Sequence, residues 1–287
     1  HHRRVFNYEA ARNYAYEYEE HHDLVSQVLR DTVLTPGREL PLDAYLGLVG
    51  VRPQRAGDDD YGGDSNGDGN ATTKAPGDWG YIKITNSANN FHDAIVRYGG
   101  GTNYAFYSLW AESASPTIQN NIFAYSGGAA CSTYICSAVY LNNAGGSQQV
   151  SGNTFSSNPI GLYINSANAT VSGNTFSSNT TGLTINSTST TLSANTFSSN
   201  GMALSVSSGS AAIANNTFSN NTFTLLQRDA TFPTYTNNTF SNNTNKVIAV
   251  AGNFASGTGT WSNIQGLNMP YLVYDNFTIG PIATLTI

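Results

Sequence analysis

The tripeptide Asn-Thr-Phe recurs five times along this chain, beginning at Asn153, Asn174, Asn195, Asn216 and Asn238, with an Asn-Ile-Phe variant at Asn121. The corresponding phenylalanines, Phe123, Phe155, Phe176, Phe197, Phe218 and Phe240, follow one another at steps of 32, 21, 21, 21 and 22 residues. Self-similarity at a fixed step of this size marks a solenoid, in which each repeat is one coil that buries its apolar face only against its neighbours. Function in such a chain belongs to surfaces built by repetition, not to one central pocket.

Charge is unevenly placed along the chain. Of 12 Lys and Arg, 18 Asp and Glu and 5 His in the chain, residues 1–57 hold seven, eight and four. Between Ser113 and Ile287 only Arg228, Asp229, Lys246 and Asp275 are charged. So bare a stretch would read as disordered, except that the regular Phe and aliphatic positions supply a core. The net charge of −6 and the 10% of charged residues argue against a nucleic-acid partner. No run approaches the roughly 18 apolar residues of a membrane span.

Three segments follow from these patterns. In residues 1–57, Tyr8, Ala11, Ala15, Tyr18, His22, Val25 and Leu29 recur at three- and four-residue steps, which predicts an amphipathic helix ending before Pro36. Such a helix suits a cap or arm at the open end of a solenoid. Residues 58–78 are an Asp/Gly-rich loop. Residues 79–287 carry short strands, among them Tyr81–Thr85, Ala94–Tyr98, Tyr107–Glu112, Gly161–Asn165 and Gly182–Asn186.

Each 21-residue unit parses into one coil. Around Asn174, Thr170-Val171 and Asn174-Thr175-Phe176 are short strands, Ser177-Ser178-Asn179 is a turn, and Gly182–Asn186 is a longer strand. Alternation sends Leu183, Ile185, Asn174 and Phe176 inward and Thr184 and Thr175 outward. Stacking the coils then lays Phe on Phe and Asn on Asn, a ladder in which buried amides satisfy one another. The eleven extra residues in the 32-residue step lie between Asn121 and Asn153 and contain both cysteines, Cys131 and Cys136. That pair forms either a small disulfide in an oxidising compartment or two buried thiols.

Strand, Asn-rich turn and strand, with aligned Phe and Asn, resembles the right-handed parallel β-helix of the pectin-lyase-like superfamily. The stretch Asp64 to Asn70 followed by Pro76-Gly77-Asp78-Trp79-Gly80-Tyr81-Ile82 is similar to the beginning of bacterial extracellular β-helix repeat proteins of the cell surface. Trp261, Met269-Pro270-Tyr271 and Ala283–Ile287 resemble the start of a further module. The resemblance covers roughly residues 58–287 and implies an all-β solenoid of about nine coils over residues 79–287, and a secreted or cell-surface location. It is specific for fold and weak for function.

Candidate sites are few. Asp64, Asn66 and Asp68 alternate around Gly67 and Gly69, half of a calcium loop, with the Asn70 carbonyl as a fourth ligand. Ala75 stands where the closing Glu of a full loop belongs, so Asp60 or Asp78 must complete a structural Ca²⁺ site; a solvated acidic turn is the alternative. Nine Asn-x-Ser/Thr positions occur, of which Asn168, Asn179, Asn186, Asn220, Asn242 and Asn276 are candidate glycosylation acceptors. The enzymes of this fold need carboxylates or a basic residue clustered on one face. The only such group is Lys83, Asp93, Arg97 and Glu112, where the two acids could just meet. The expectation is therefore a non-catalytic structural protein that stacks with copies of itself into a fibre or surface layer, because alternating Leu285 and Ile287 leave the stack without a polar end. The alternative is a protein that binds or degrades polysaccharide, with Tyr104, Phe106, Tyr107, Trp110 and Tyr163 as candidate aromatics.

Overall fold

In the computed structural model the chain divides into two units, His1–Thr73 and Lys74–Ile287. The structure describes residues 75–287 apart from 102–105, 129–130, 132–134, 143–146, 167 and 188. The N-terminal helix expected over residues 1–57, and most of the Asp/Gly-rich loop, lie outside the described residues.

The described part is a parallel β-helix with three sides. Sheet A has nine strands: Ile82–Ile84, Tyr107–Glu112, Ser137–Asn142, Ile160–Asn165, Thr181–Asn186, Met202–Ser208, Phe223–Arg228, Asn245–Thr260 and Tyr271–Thr286. Sheet B runs in seven strands from Asn90–His92 to Thr234–Thr236, and sheet C in seven from Ile95–Arg97 to Thr239–Ser241. Every pairing is parallel, and the chain visits A, B and C in turn. The expected nine coils are corrected to seven three-sided ones, because the last two strands of sheet A are 16-residue strands that pair with each other and have no partners in B or C. Sequence repetition cannot show where the third side stops.

Alternation places the core as expected. Leu162, Ile164, Leu183 and Ile185 of sheet A, Val150, Val171 and Leu192 of sheet B, and Phe123, Phe155, Phe176, Phe197 and Phe218 of sheet C are fully buried. The rings from Phe155 to Phe240 stack in register with centroids 4.7–5.1 Å apart and planes within 6–8° of parallel. Sixteen residues separate Phe123 from its coil partner Val139, where seven separate Phe155 from Leu162, so nine of the eleven inserted residues form the loop before Val139. The disulfide Cys131–Cys136 closes within that loop.

Two buried asparagine ladders define the corners on either side of sheet C. The expected one runs Asn121, Asn153, Asn174, Asn195, Asn216, Asn238. At each of its rungs the backbone N–H and Nδ2 of one Asn donate to Oδ1 of the next, as from Asn174 to Asn195 at 2.9 and 3.0 Å. The second ladder runs Asn158, Asn179, Asn200, Asn221, Asn243 with the same geometry. The residue before each ladder Asn is left-handed, as at Gly173 (φ 64°), Ser178 (φ 56°) and Asn220 (φ 57°). A left-handed residue is unfavourable for most side chains, and the ladder bonds hold it there.

Asn195→Ala would strand the Asn174 backbone N–H and remove the carboxamide contacts that Asn174 Nδ2, Val171 O, Ser193 O and Asn216 Oδ1 make with Asn195. Each orphaned buried group costs about 1–3 kcal/mol. A loss of more than about 3 kcal/mol in urea unfolding is expected. Thr196→Ala, on the outward side of the same strand, should change stability by less than about 0.5 kcal/mol.

Candidate functional site

The outward face of sheet A carries the described surface richest in aromatic side chains. Register aligns Lys83, Trp110, Tyr140, Tyr163, Thr184, Ser205 and Leu226 in one outward column. Tyr107, on the same face, stacks on Tyr140 at 4.2 Å, and Tyr140 stacks on Tyr163 at 5.3 Å. Trp110 meets Tyr107 and Tyr81 edge to face at 6.1 and 5.8 Å. These rings reach the surface because parallel strands align every second residue on one side, so a run of bulky outward residues becomes a stack.

A carboxamide column flanks the rings. Glu112, Asn142, Asn165 and Asn186 are in register, and Asn165 Nδ2 donates to the Tyr140 hydroxyl at 3.0 Å and to Asn142 Oδ1 at 2.9 Å. Lys83 pairs with Glu112 and lies 4.0 Å over the Trp110 ring. Trp110 Nε1 has no acceptor among the described residues. Beyond Tyr163 the face continues as a groove of about 410 Å³, floored by Thr184, Ser205 and Leu226 and rimmed by Phe223, Arg228 and Tyr274.

Burial, followed by repulsion from the Tyr140 and Tyr163 phenolates, pushes the Tyr107 phenol up to about 12. Burial also raises Tyr140, against the lowering effect of the Asn165 bond. Both phenols stay neutral hydrogen-bonding groups across the physiological range.

The remaining candidate residues are scattered. Asp93 sits at the corner after sheet B, 2.8 Å from His92 Nδ1, while Glu112 pairs with Lys83 on sheet A. The expected meeting of the two acids does not occur, because consecutive sides of the coil carry them apart. Phe106 is buried, which removes it from the aromatic surface, and Tyr104 lies outside the described residues. Of the calcium set, Asp60, Asp64, Asn66, Asp68 and Asn70 lie outside them too; Asp78 accepts the Ala75 N–H at 2.7 Å. Among the described residues no cluster of three or more metal-ligating side chains forms.

Asn179 is corrected from a glycosylation acceptor to a rung of the second ladder. It is 2% exposed, and its Nδ2 donates to Phe155 O and Asn200 Oδ1. Asn186 is half-buried with its Nδ2 on Asn165, whereas Asn168, Asn220, Asn242 and Asn276 are exposed. The second ladder and Tyr140 were the features that sequence reasoning missed. The signal for the ladder was an Asn three residues after each Phe from Phe155 on.

A three-sided parallel coil with in-register Asn and Phe ladders defines a class of fold. The sequence matches the family described as the right handed beta helix region over residues 78–224 and again over 137–266. The chain belongs to that family. No curated protein and no solved structure matches it. No helix among the described residues is long and apolar enough to cross a membrane.

The raised phenols give a stability test. A folded pKa above the ordinary value of about 10 favours the protonated native state, so the contribution is complete below pH 10 and is lost as pH rises through about 12. Near-ultraviolet difference absorbance should show late ionisation that moves to about pH 10 on unfolding. Tyr107→Phe should remove part of that late step.

Proposed function

We propose that this chain is a non-catalytic extracellular scaffold that binds polysaccharide along the outer face of sheet A. The observation that carries this reading is the half-exposed stack of Trp110, Tyr107, Tyr140 and Tyr163, flanked by Asn142, Asn165 and Asn186. Sugar rings offer flat C–H faces to aromatics and hydroxyls to amides, and binding surfaces of that kind are apolar with a few fixed polar groups. The open groove beyond Tyr163 extends the face along the helix axis, which suits a linear polymer. The charge map supports a binding role over catalysis. Glu112 is held by Lys83 and Asp93 sits beside His92, and from Ser113 on the charged residues are Arg228, Asp229, Lys246 and Asp275. The disulfide supports an oxidising compartment.

Retention of the purified chain on insoluble polysaccharides tests this. Trp110→Ala with Tyr140→Ala should lower retention about tenfold, since each aromatic contact is worth about 0.5–1.5 kcal/mol. Thr196→Ala should leave it unchanged. No retention on any polysaccharide would refute the binding role. Release of unsaturated or reducing ends, lost in Glu112→Gln, would replace it with catalysis.

A second reading, self-association, rests on the strand Tyr271–Thr286. Its outer edge has no strand beside it among the described residues, and Val273, Ile279 and Ile282 are 58, 50 and 76% exposed. Long, apolar, unpaired edges template strand addition, and end-to-end stacking into a fibre or layer follows from it. Light scattering at micromolar concentration, with and without Ca²⁺, should show association that Ile282→Lys abolishes. A monodisperse monomer in every condition would sink this reading. The same samples test the Ca²⁺ loop proposed around Asp64 and Asp68, which should raise the melting temperature when filled.

A further inference from the structure

The two asparagine ladders finish differently. The first is closed by Gln265, whose Oε1 accepts the Asn238 backbone N–H at 2.8 Å and Asn238 Nδ2 at 2.9 Å. Gln265 Nε2 donates back to the Asn238 carbonyl at 2.8 Å. A glutamine thus takes the place of the next asparagine. The second ladder ends at Asn243, whose Oδ1 accepts from Asn221 and whose Nδ2 donates to Phe218 O. At every earlier rung the backbone N–H and the second Nδ2 hydrogen share one oxygen, as from Asn221 to Asn243 at 2.9 and 3.0 Å. No such oxygen follows Asn243 among the described residues, although Asn243 is only 6% exposed.

Phe240, three residues before it, is the last ring of the phenylalanine stack. Over both residues lies a cavity of about 340 Å³, also lined by Asn242, Lys246, Leu267 and Met269. Its volume falls in the range of small-molecule sites, about 300–1,000 Å³. The next rung would have put a ring on Phe240 and an oxygen on Asn243. The cavity stands where both would be. Leu267 and Met269 add apolar walls. Lys246 adds a cation with no ion pair among the described residues.

We propose that this cavity binds a small aromatic carboxylate. Its ring stacks on Phe240 against Met269 and Leu267. One carboxylate oxygen accepts from the Asn243 backbone N–H and Nδ2, and Lys246 faces the negative charge. An uncharged ring would leave Lys246 without a counter-charge, and an aliphatic acid would lose the offset stacking that aromatic pairs prefer. The site is separate from the sheet A surface and does not depend on the polysaccharide reading.

The test is titration of the folded chain with benzoate and phenylacetate, followed by calorimetry and by the Asn243 backbone and side-chain amide resonances. Saturable binding is expected, with those resonances among the most shifted, and at least about tenfold tighter than for benzyl alcohol or acetate. Lys246→Gln should weaken it about tenfold, the scale of one charge-assisted contact. Met269→Trp, which fills the cavity, should abolish binding with an unchanged circular dichroism spectrum; Leu267→Trp, at a half-exposed position, serves if the first variant does not fold. The proposal is overturned if neither acid binds saturably to the folded chain, if benzyl alcohol binds as tightly as benzoate, or if Lys246→Gln leaves the affinity unchanged.

Discussion

The in-register hydrogen bond from one asparagine to the next is the interaction on which this structure depends. A coil must turn sharply twice beside sheet C, and each turn passes through a left-handed residue such as Ser178 or Gly173. The amide bonds of Asn174 and Asn179 to Asn195 and Asn200 fix those turns at the same point in every coil. With the turns fixed, the phenylalanines between them fall face to face. The apolar core is the larger driving force, but it is not directional. Register comes from the amides, because a slip by one residue would bury an unpaired carboxamide.

The same regularity separates scaffold from surface. Inward positions are committed to Phe, Leu, Ile and Asn, so chemistry is confined to outward columns, corners and ends. On sheet C those columns are Thr and Ser from Thr154 and Ser156 onward, after Ile95 and Ile122 beside Arg97 and Ala124 in the first two coils. On sheet A they change along the axis, from Lys83 and Trp110 through Tyr140 and Tyr163 to Thr184, Ser205 and Leu226. A repeat protein gains specificity by breaking its repeat on one face. Here that face holds the aromatic stack, and it is adjacent in sequence to the inserted loop that the Cys131–Cys136 disulfide closes.

The sheet A strands, the inward Phe and Leu, and the first asparagine ladder were legible in the sequence, since each recurs at the coil period. The second ladder recurs just as faithfully, yet an Asn beside Ser-Ser reads as a turn. Asn179 therefore passed for an exposed acceptor when it is a buried rung. Of the aromatic surface, Trp110, Tyr107 and Tyr163 were picked out as residue types, but Phe106 was indistinguishable from them until burial sorted it inward. Tyr140 joined them only through register with Trp110 and Tyr163.

The sequence by itself determined the solenoid, its step, its inward residues and the scarcity of charge along the repeats, because all of these are local properties repeated at a fixed interval. Tertiary structure alone decided which outward residues share a column, that Asp93 and Glu112 stand on different sides, and that Gln265 closes one ladder while Asn243 leaves the other open. The physical reason is the spacing of neighbours. Residues that touch across this stack are 21 or more positions apart in the chain, and their meeting is set by hydrogen-bond register between coils, which no single repeat contains.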